Sequence, residues 1–248
     1  MFIAPGIATL DISAPVMGRV DTVHLALLWD DQDVVLVDTG FPRQLDSLQE
    51  EIKRCGVPIE RLNRIVLTHQ DIDHIGNLPD LLKRISTPIE VLAHPDEKPY
   101  IEGERRLIRF TDEAIASIDR MPSQVPESFK QGLKALMLNP PSAPVDRTIS
   151  GGETLPWCGE IDVIDTPGHT PGHIGLYHKP SRTLIAGDSL TVVDGDLRGP
   201  DPVSTLDMPT ALASLRRLLE LEIDTVVCYH GGVFKGPIHD RLSSIIQA

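Results

Sequence analysis

The sequence predicts an α/β fold, and three observations carry that expectation. Short apolar runs, such as Val34-Val35-Leu36-Val37 and Thr225-Val226-Val227-Cys228, read as strands buried on both faces. Between them lie segments with apolar residues three and four apart, as amphipathic helices require. Four of the strands end on one grammar, a His or Asp with Gly or a turn beside it. The 248 residues are ample for a large core, and a single domain over residues 1–248 is expected.

Taken in order, residues 1–40 read as β-structure. Val23 to Leu28 is a strand, Asp30-Asp31-Gln32-Asp33 a turn, and Val34 to Val37 a buried strand ending at Asp38-Thr39-Gly40. Leu45 to Cys55 has helical periodicity and stops at Gly56. Ile65-Val66-Leu67 is a strand that runs into the hexapeptide His69-Gln70-Asp71-Ile72-Asp73-His74. Ile75, Leu78, Leu81, Leu82 and Ile85 then mark a helix. Ile89 to Ala93 is a strand ending at His94, which has no second ligand near it in sequence and reads as structural or pocket-lining.

Residues 95–145 differ. Seven prolines punctuate two helical stretches, roughly Glu104–Met121 and Glu127–Leu138. Because this segment interrupts a strand-rich pattern, it is expected to form a helical cap that walls a pocket. The strand pattern returns after 146 with Ile161 to Ile164, Gly175 to Tyr177 and Thr183 to Ala186. A helix from Pro209 to Glu222 precedes the strand Thr225 to Tyr229.

Composition excludes several classes. A net charge of −13 carries no nucleic-acid footprint. The three cysteines, Cys55, Cys158 and Cys228, are scattered and odd in number, which points to a reducing cytoplasm rather than a disulfide framework. The N-terminus lacks the basic start and apolar core of a signal peptide, and no run of 18 apolar residues is present, so no membrane association is expected. The expected partners are a small-molecule substrate and at most a second copy of the chain in a homodimer.

The hexapeptide places two imidazoles and two carboxylates between a strand end and a helix start, where open α/β folds bind ligands. In an extended segment His69 and Asp71 share a side. Four N/O donors are too many for one four-coordinate zinc with an open position, and they suit two divalent ions. The bland alternative is a polar loop capping a helix, with Asp73 as the N-cap. The other strand ends supply further donors: His169 after Thr166-Pro167-Gly168, Asp188 after Ala186-Gly187, and His230 after Cys228-Tyr229.

With these residues the chain resembles the metallo-β-lactamase superfamily over essentially its whole length. The hexapeptide matches that family's His-x-His-x-Asp-His motif with one departure, Asp71 in place of the second His. Gly168-His169-Thr170-Pro171-Gly172-His173 has the context seen in lactonase and glyoxalase II-like members. The resemblance implies a four-layer αββα sandwich with a dinuclear site along one edge. One ion would take His69, Asp71 and His169, the other Asp73, His74 and His230, with Asp188 bridging. Asp38 would orient ligands by hydrogen bond, and His173 would pack or support rather than bind. The implied activity is hydrolysis of an ester or lactone by a metal-bridging hydroxide, with Asp73 as proton carrier. Zinc is the first expectation, manganese or iron the alternatives. Thr191 stands where quorum-signal lactonases have a tyrosine, so a thioesterase, a β-lactamase and a phosphoesterase stay as alternatives, and the carboxylate at the Asp71 position, shared with flavodiiron members, keeps a di-iron redox protein as another. Asp71 adds one negative charge to the usual ligand set. Its charge is expected to raise the pKa of the bridging water, and its harder oxygen to let the ion shared with His69 and His169 accept manganese or iron more readily than a three-His site would.

Overall fold

The computed structural model describes residues 1–16 and 18–247. The first half supplies β1 (Phe2–Ala4), β2 (Ile7–Val16), β3 (Arg19–Trp29), β4 (Val34–Val37), β5 (Arg64–Val66), β6 (Glu90–Ala93) and β7 (Arg147–Thr148). These form one seven-stranded sheet in sequence order, antiparallel up to β4 and parallel from there to β7. The second half supplies β8 (Thr154–Leu155), β9 (Ile161–Asp165), β10 (Ile174–His178), β11 (Thr183–Gly187), β12 (Thr191–Val193), β13 (Asp196–Arg198), β14 (Thr225–Cys228) and β15 (Gly232–Phe234). Six of them make a second sheet in the order β15-β14-β11-β10-β9-β8, and β12–β13 is a separate hairpin. The helices are α1 (Leu45–Arg54), α2 (Ile72–Ile75), α3 (Leu78–Arg84), α4 (Lys98–Ile101), α5 (Asp112–Asp119), α6 (Glu127–Leu138), α7 (Met208–Ser214) and α8 (Ile238–Gln247).

Side-chain alternation along the strands builds the layers. In β4, Val34 and Leu36 face α1 and α3, while Val35 and Val37 face the second sheet. In β14, Val226 and Cys228 face α8, while Val227 meets Val35 and its neighbours between the sheets. Strands covered on both faces must be apolar nearly throughout, which is why these runs contain no charged residue. The result is the αββα sandwich. No helix among the described residues is long and apolar enough to cross a membrane.

Three helix spans and one N-cap are corrected. The helix expected through Ile75–Ile85 is two, α2 and α3, broken at Gly76-Asn77. A Cβ on Gly76 would lie 2.3 Å from the Pro42 nitrogen, and the Asn77 side chain donates to the Thr39 carbonyl and accepts from the Gln44 amide. The break ties the hexapeptide loop to the Thr39–Gln44 turn. The N-cap of α2 is Asp71 rather than Asp73. The stretch expected as helix Glu104–Met121 is helical only over α5. Leu107 is buried in the main core instead, and Thr111 caps α5 by accepting from the Ala114 amide. The helix expected from Pro209 to Glu222 is α7 followed by a tighter 3₁₀ stretch, Leu215–Glu220.

Strand direction sets the site. β4, β5 and β6 run parallel, so Asp38, His69 and His94 leave on one rim. β9, β11 and β14 share a direction in the second sheet, so the His169 loop, Asp188 and His230 leave on one rim too. Two backbone hydrogen bonds join the rims, from the His24 amide to the Tyr229 carbonyl at 2.9 Å and from the Ile174 amide to the Thr68 carbonyl at 3.1 Å.

Candidate metal centre

Two groups of donor atoms meet where the rims join. His69, His169 and Asp188 form one, and Asp73, His74 and His230 the other, with the atoms of each group within 4.8 Å of one another. Asp188 faces both. Its Oδ1 is 3.4 Å from His74 Nε2, and its Oδ2 is 3.4 Å from His169 Nε2 and 3.5 Å from His230 Nε2. Asp71 Oδ2 lies 3.1 Å from His169 Nε2 and 3.4 Å from His69 Nε2.

Two of the histidines, His69 and His74, are held by their far nitrogens. His74 Nδ1 lies 2.9 Å from Asp38 Oδ2, and His69 Nδ1 lies 3.0 Å from Thr68 Oγ1. Asp38 also accepts from the Thr68 amide at 2.8 Å and from its hydroxyl at 2.9 Å. Such acceptors keep the proton on Nδ1 and leave Nε2 its lone pair. His69 Nε2 and His74 Nε2 are buried with no hydrogen-bond partner, as is Asp188 Oδ1. Buried polar atoms are rarely left so, and three aimed at one space fit a divalent ion. His173 Nε2 accepts the Asp188 amide at 3.0 Å and its Nδ1 faces Thr166 Oγ1 at 2.8 Å, so both of its nitrogens are engaged in support of Asp188.

The electrostatics also call for positive charge. Burial lowers the pKa of His230, but hydrogen bonds and charge from Asp188 and Asp73 outweigh it and push it up to about 10. Burial likewise opposes protonation of His74, yet Asp38, Asp188 and Asp73 raise its pKa well above the ordinary value. Burial disfavours ionised Asp188, but the charge of His74 and the facing His230 imidazole hold its carboxyl well below the usual range.

Several contributors were not legible as such in the sequence. Arg109 Nε donates to Asp71 Oδ2 at 2.5 Å, and its Nη2 lies 3.0 Å from His169 Nε2. Gln70, between two candidate ligands, donates through Nε2 to Glu97 Oε2 at 2.9 Å and accepts the Ile108 amide at 2.8 Å. Glu97 is fully buried and accepts the Gly172 amide at 2.7 Å as well. Tyr229 stacks on His74 with ring centroids 3.7 Å apart, and its hydroxyl donates to the Asp73 carbonyl. His94 stays outside the two groups and packs against the Gly172 turn. A cavity of about 760 Å³ opens over the centre, walled by the β12–β13 hairpin and residues 199–204. From residues 95–145 only Arg109 reaches its wall, so α5 and α6 do not line it.

The family model of the metallo-beta-lactamase superfamily matches residues 18–230. The chain belongs to the metallo-β-lactamase superfamily. It is a metal-dependent hydrolase of that family, whose members bind divalent metals. The probable metallo-hydrolase YflN of Bacillus subtilis (strain 168) is 31% identical over 238 residues, covering 85% of this chain and 83% of its own. The hydroxyacylglutathione hydrolase of Rhizobium meliloti (strain 1021) is 28% identical over 165 residues, covering 63% of this chain and 61% of its own. Among solved structures, a metallo-beta-lactamase family protein from Thermus thermophilus superposes with a TM-score of 0.70 at 25% identity, over 99% of this chain and 80% of that one.

Proposed function

We propose that this metallo-β-lactamase-fold hydrolase cleaves an ester or lactone at a dinuclear divalent-metal centre. The observation that carries the reading is Asp188, whose two oxygens face histidines of both donor groups. In this reading His69 and His169 hold one ion with Asp71 beside them, Asp73, His74 and His230 hold the other, and Asp188 serves both. Zinc suits the imidazole-rich set best, with manganese or iron as alternatives. When bound, such ions supply Lewis acidity and make water a nucleophile near neutral pH.

The protein's own groups do the rest. Burial opposes ionisation of Asp73, but the charge of His74 and the hydrogen bond from His230 hold its pKa below the usual range, so at neutral pH it is an acceptor. It lines the cavity, where its carboxylate can orient the attacking water and carry a proton to the leaving oxygen. A cavity of this size accommodates a small-molecule substrate. A thioester is the second reading, favoured by the hydroxyacylglutathione hydrolase among the relatives. Protein reconstituted with zinc, manganese or iron, and offered a chromogenic ester, lactone, thioester, β-lactam and phosphodiester, tests both. Turnover of the ester or lactone above the others is the expected result. Preference for the thioester selects the second reading, and turnover confined to the β-lactam or phosphodiester overturns both.

A further inference from the structure

We propose that Asp71 and Arg109 act as one charge-neutral unit at the position where the superfamily pattern has its second histidine. The inference rests on the dinuclear reading above. A neutral imidazole brings no net charge to a metal site, whereas a carboxylate brings one negative charge. Here that charge is met within the site. Arg109 Nε donates to Asp71 Oδ2 at 2.5 Å, and both side chains are largely buried, 11% exposed for Asp71 and 27% for Arg109. Three carboxylates and one guanidinium carry the same net charge as two carboxylates. At this depth ions in solution screen the pair poorly, so its charges act on the bound metals directly. The raised water pKa expected from the charge of Asp71 is therefore cancelled by a residue 38 positions downstream, while the harder carboxylate oxygen stays at the site.

The arginine is held in place rather than draped over the site. Gln70 accepts the Ile108 amide beside it, and Gln70 is fixed by buried Glu97. Glu97 also holds the Gly172 amide on the loop that carries His169. Asp71, Arg109 and His169 are thus referred to one frame. A guanidinium suits the role because it stays charged at every working pH and donates from several fixed directions at once.

Zinc affinity, read by competition with a chromophoric chelator, tests the unit without reference to turnover, and the visible spectrum of cobalt-loaded protein reports ligand geometry. Arg109→Ala strands a negative charge beside a dication and should tighten zinc binding about tenfold. Arg109→Gln, which keeps hydrogen-bonding capacity without charge, should follow Arg109→Ala, and Arg109→Lys should stay near wild type. Asp71→Ala strands the guanidinium and should weaken binding about tenfold or more. The double change Asp71→His with Arg109→Ala, which keeps the net charge of the site, should restore wild-type zinc affinity. If Arg109→Gln binds zinc as wild type does, or if both Arg109→Ala and Asp71→Ala weaken binding, the pair is a scaffold and the proposal fails. If the wild-type protein holds fewer than two ions, the dinuclear reading fails instead.

Discussion

Asp38 shows how a residue that touches no ion can govern the centre. It stands in the left-handed region at φ 64°, which aspartate and asparagine tolerate better than most residues. From there its carboxylate receives His74 Nδ1, the Thr68 amide and the Thr68 hydroxyl. Asp38→Asn keeps the shape and the backbone but removes the charge that makes His74 a good donor. It should lower zinc affinity about 10- to 100-fold in chelator competition, with the fold retained by circular dichroism. A second residue-scale outcome lies far from the centre. His178 is buried, its Nε2 bonded to the Cys158 carbonyl at 2.7 Å, and burial lowers its pKa against the pull of that bond. The unfolded chain therefore takes up a proton near pH 6.5 that the folded chain still refuses. This contribution to stability is complete above about pH 6.5 and is lost as pH falls toward the folded pKa. In denaturant titrations, His178→Gln should flatten the acid limb relative to wild type while lowering the neutral plateau. An unchanged slope would mean that His178 does not titrate differently in the two states.

Among elements, α7 and the His169 loop depend on each other. Gly168 has φ 130°, and a Cβ there would lie 2.3 Å from the Ala211 nitrogen in α7. The Asp207 amide, at the N-cap of α7, donates to the Gly168 carbonyl at 2.9 Å. Gly168→Ala therefore adds backbone strain to overpacking and should cost about 1–3 kcal/mol in denaturant unfolding. Because His169 is the next residue, the same change should also reduce metal content, and normal zinc content in a destabilised protein would refute the coupling. The segment that was hardest to read from sequence is the one that carries Arg109. Leu107 and Phe110 have helical spacing with Ile115 and Ile118, but Leu107 and Phe110 pack into the main core, and helix starts only after Thr111. Thr111, followed by Asp112 and Glu113 in the first turn, is the local start signal of the helix that forms. α5 and α6 close a small cluster of their own around Ile115, Ile118 and Met137.

At the scale of the molecule the centre is a seam. His69, Asp73 and His74 follow β5 of the first sheet, and His169, Asp188 and His230 follow strands of the second. Ions held by both sets would cross-link the two sheets in the folded state and not in the unfolded one. At free metal about 100-fold above its dissociation constant, one such site adds about 2.7 kcal/mol. Removing metal with a chelator should therefore lower the thermal midpoint, and zinc should restore it. A midpoint indifferent to chelator would show that no bound ion links the two sheets.

The sequence by itself determined the two-sided burial of the strands, because Val34 to Val37 and Thr225 to Cys228 leave no face for water. It also determined which donors stand at strand ends, because a strand's length and direction bring its last residue to a rim. The four layers and the family were legible through the motifs set along those ends. Only the tertiary structure decided what surrounds the donors. Arg109 reaches Asp71 through a loop that local periodicity assigned to a helix, and Glu97 reaches Gln70 and Gly172 across two connections. Tyr229 was visible as a strand residue and became the ring that stacks on His74. These contacts join residues far apart in the chain, and no local pattern encodes them. Helix ends at Gly76 and Thr111 shifted for the same reason, because a buried partner elsewhere outweighed local propensity.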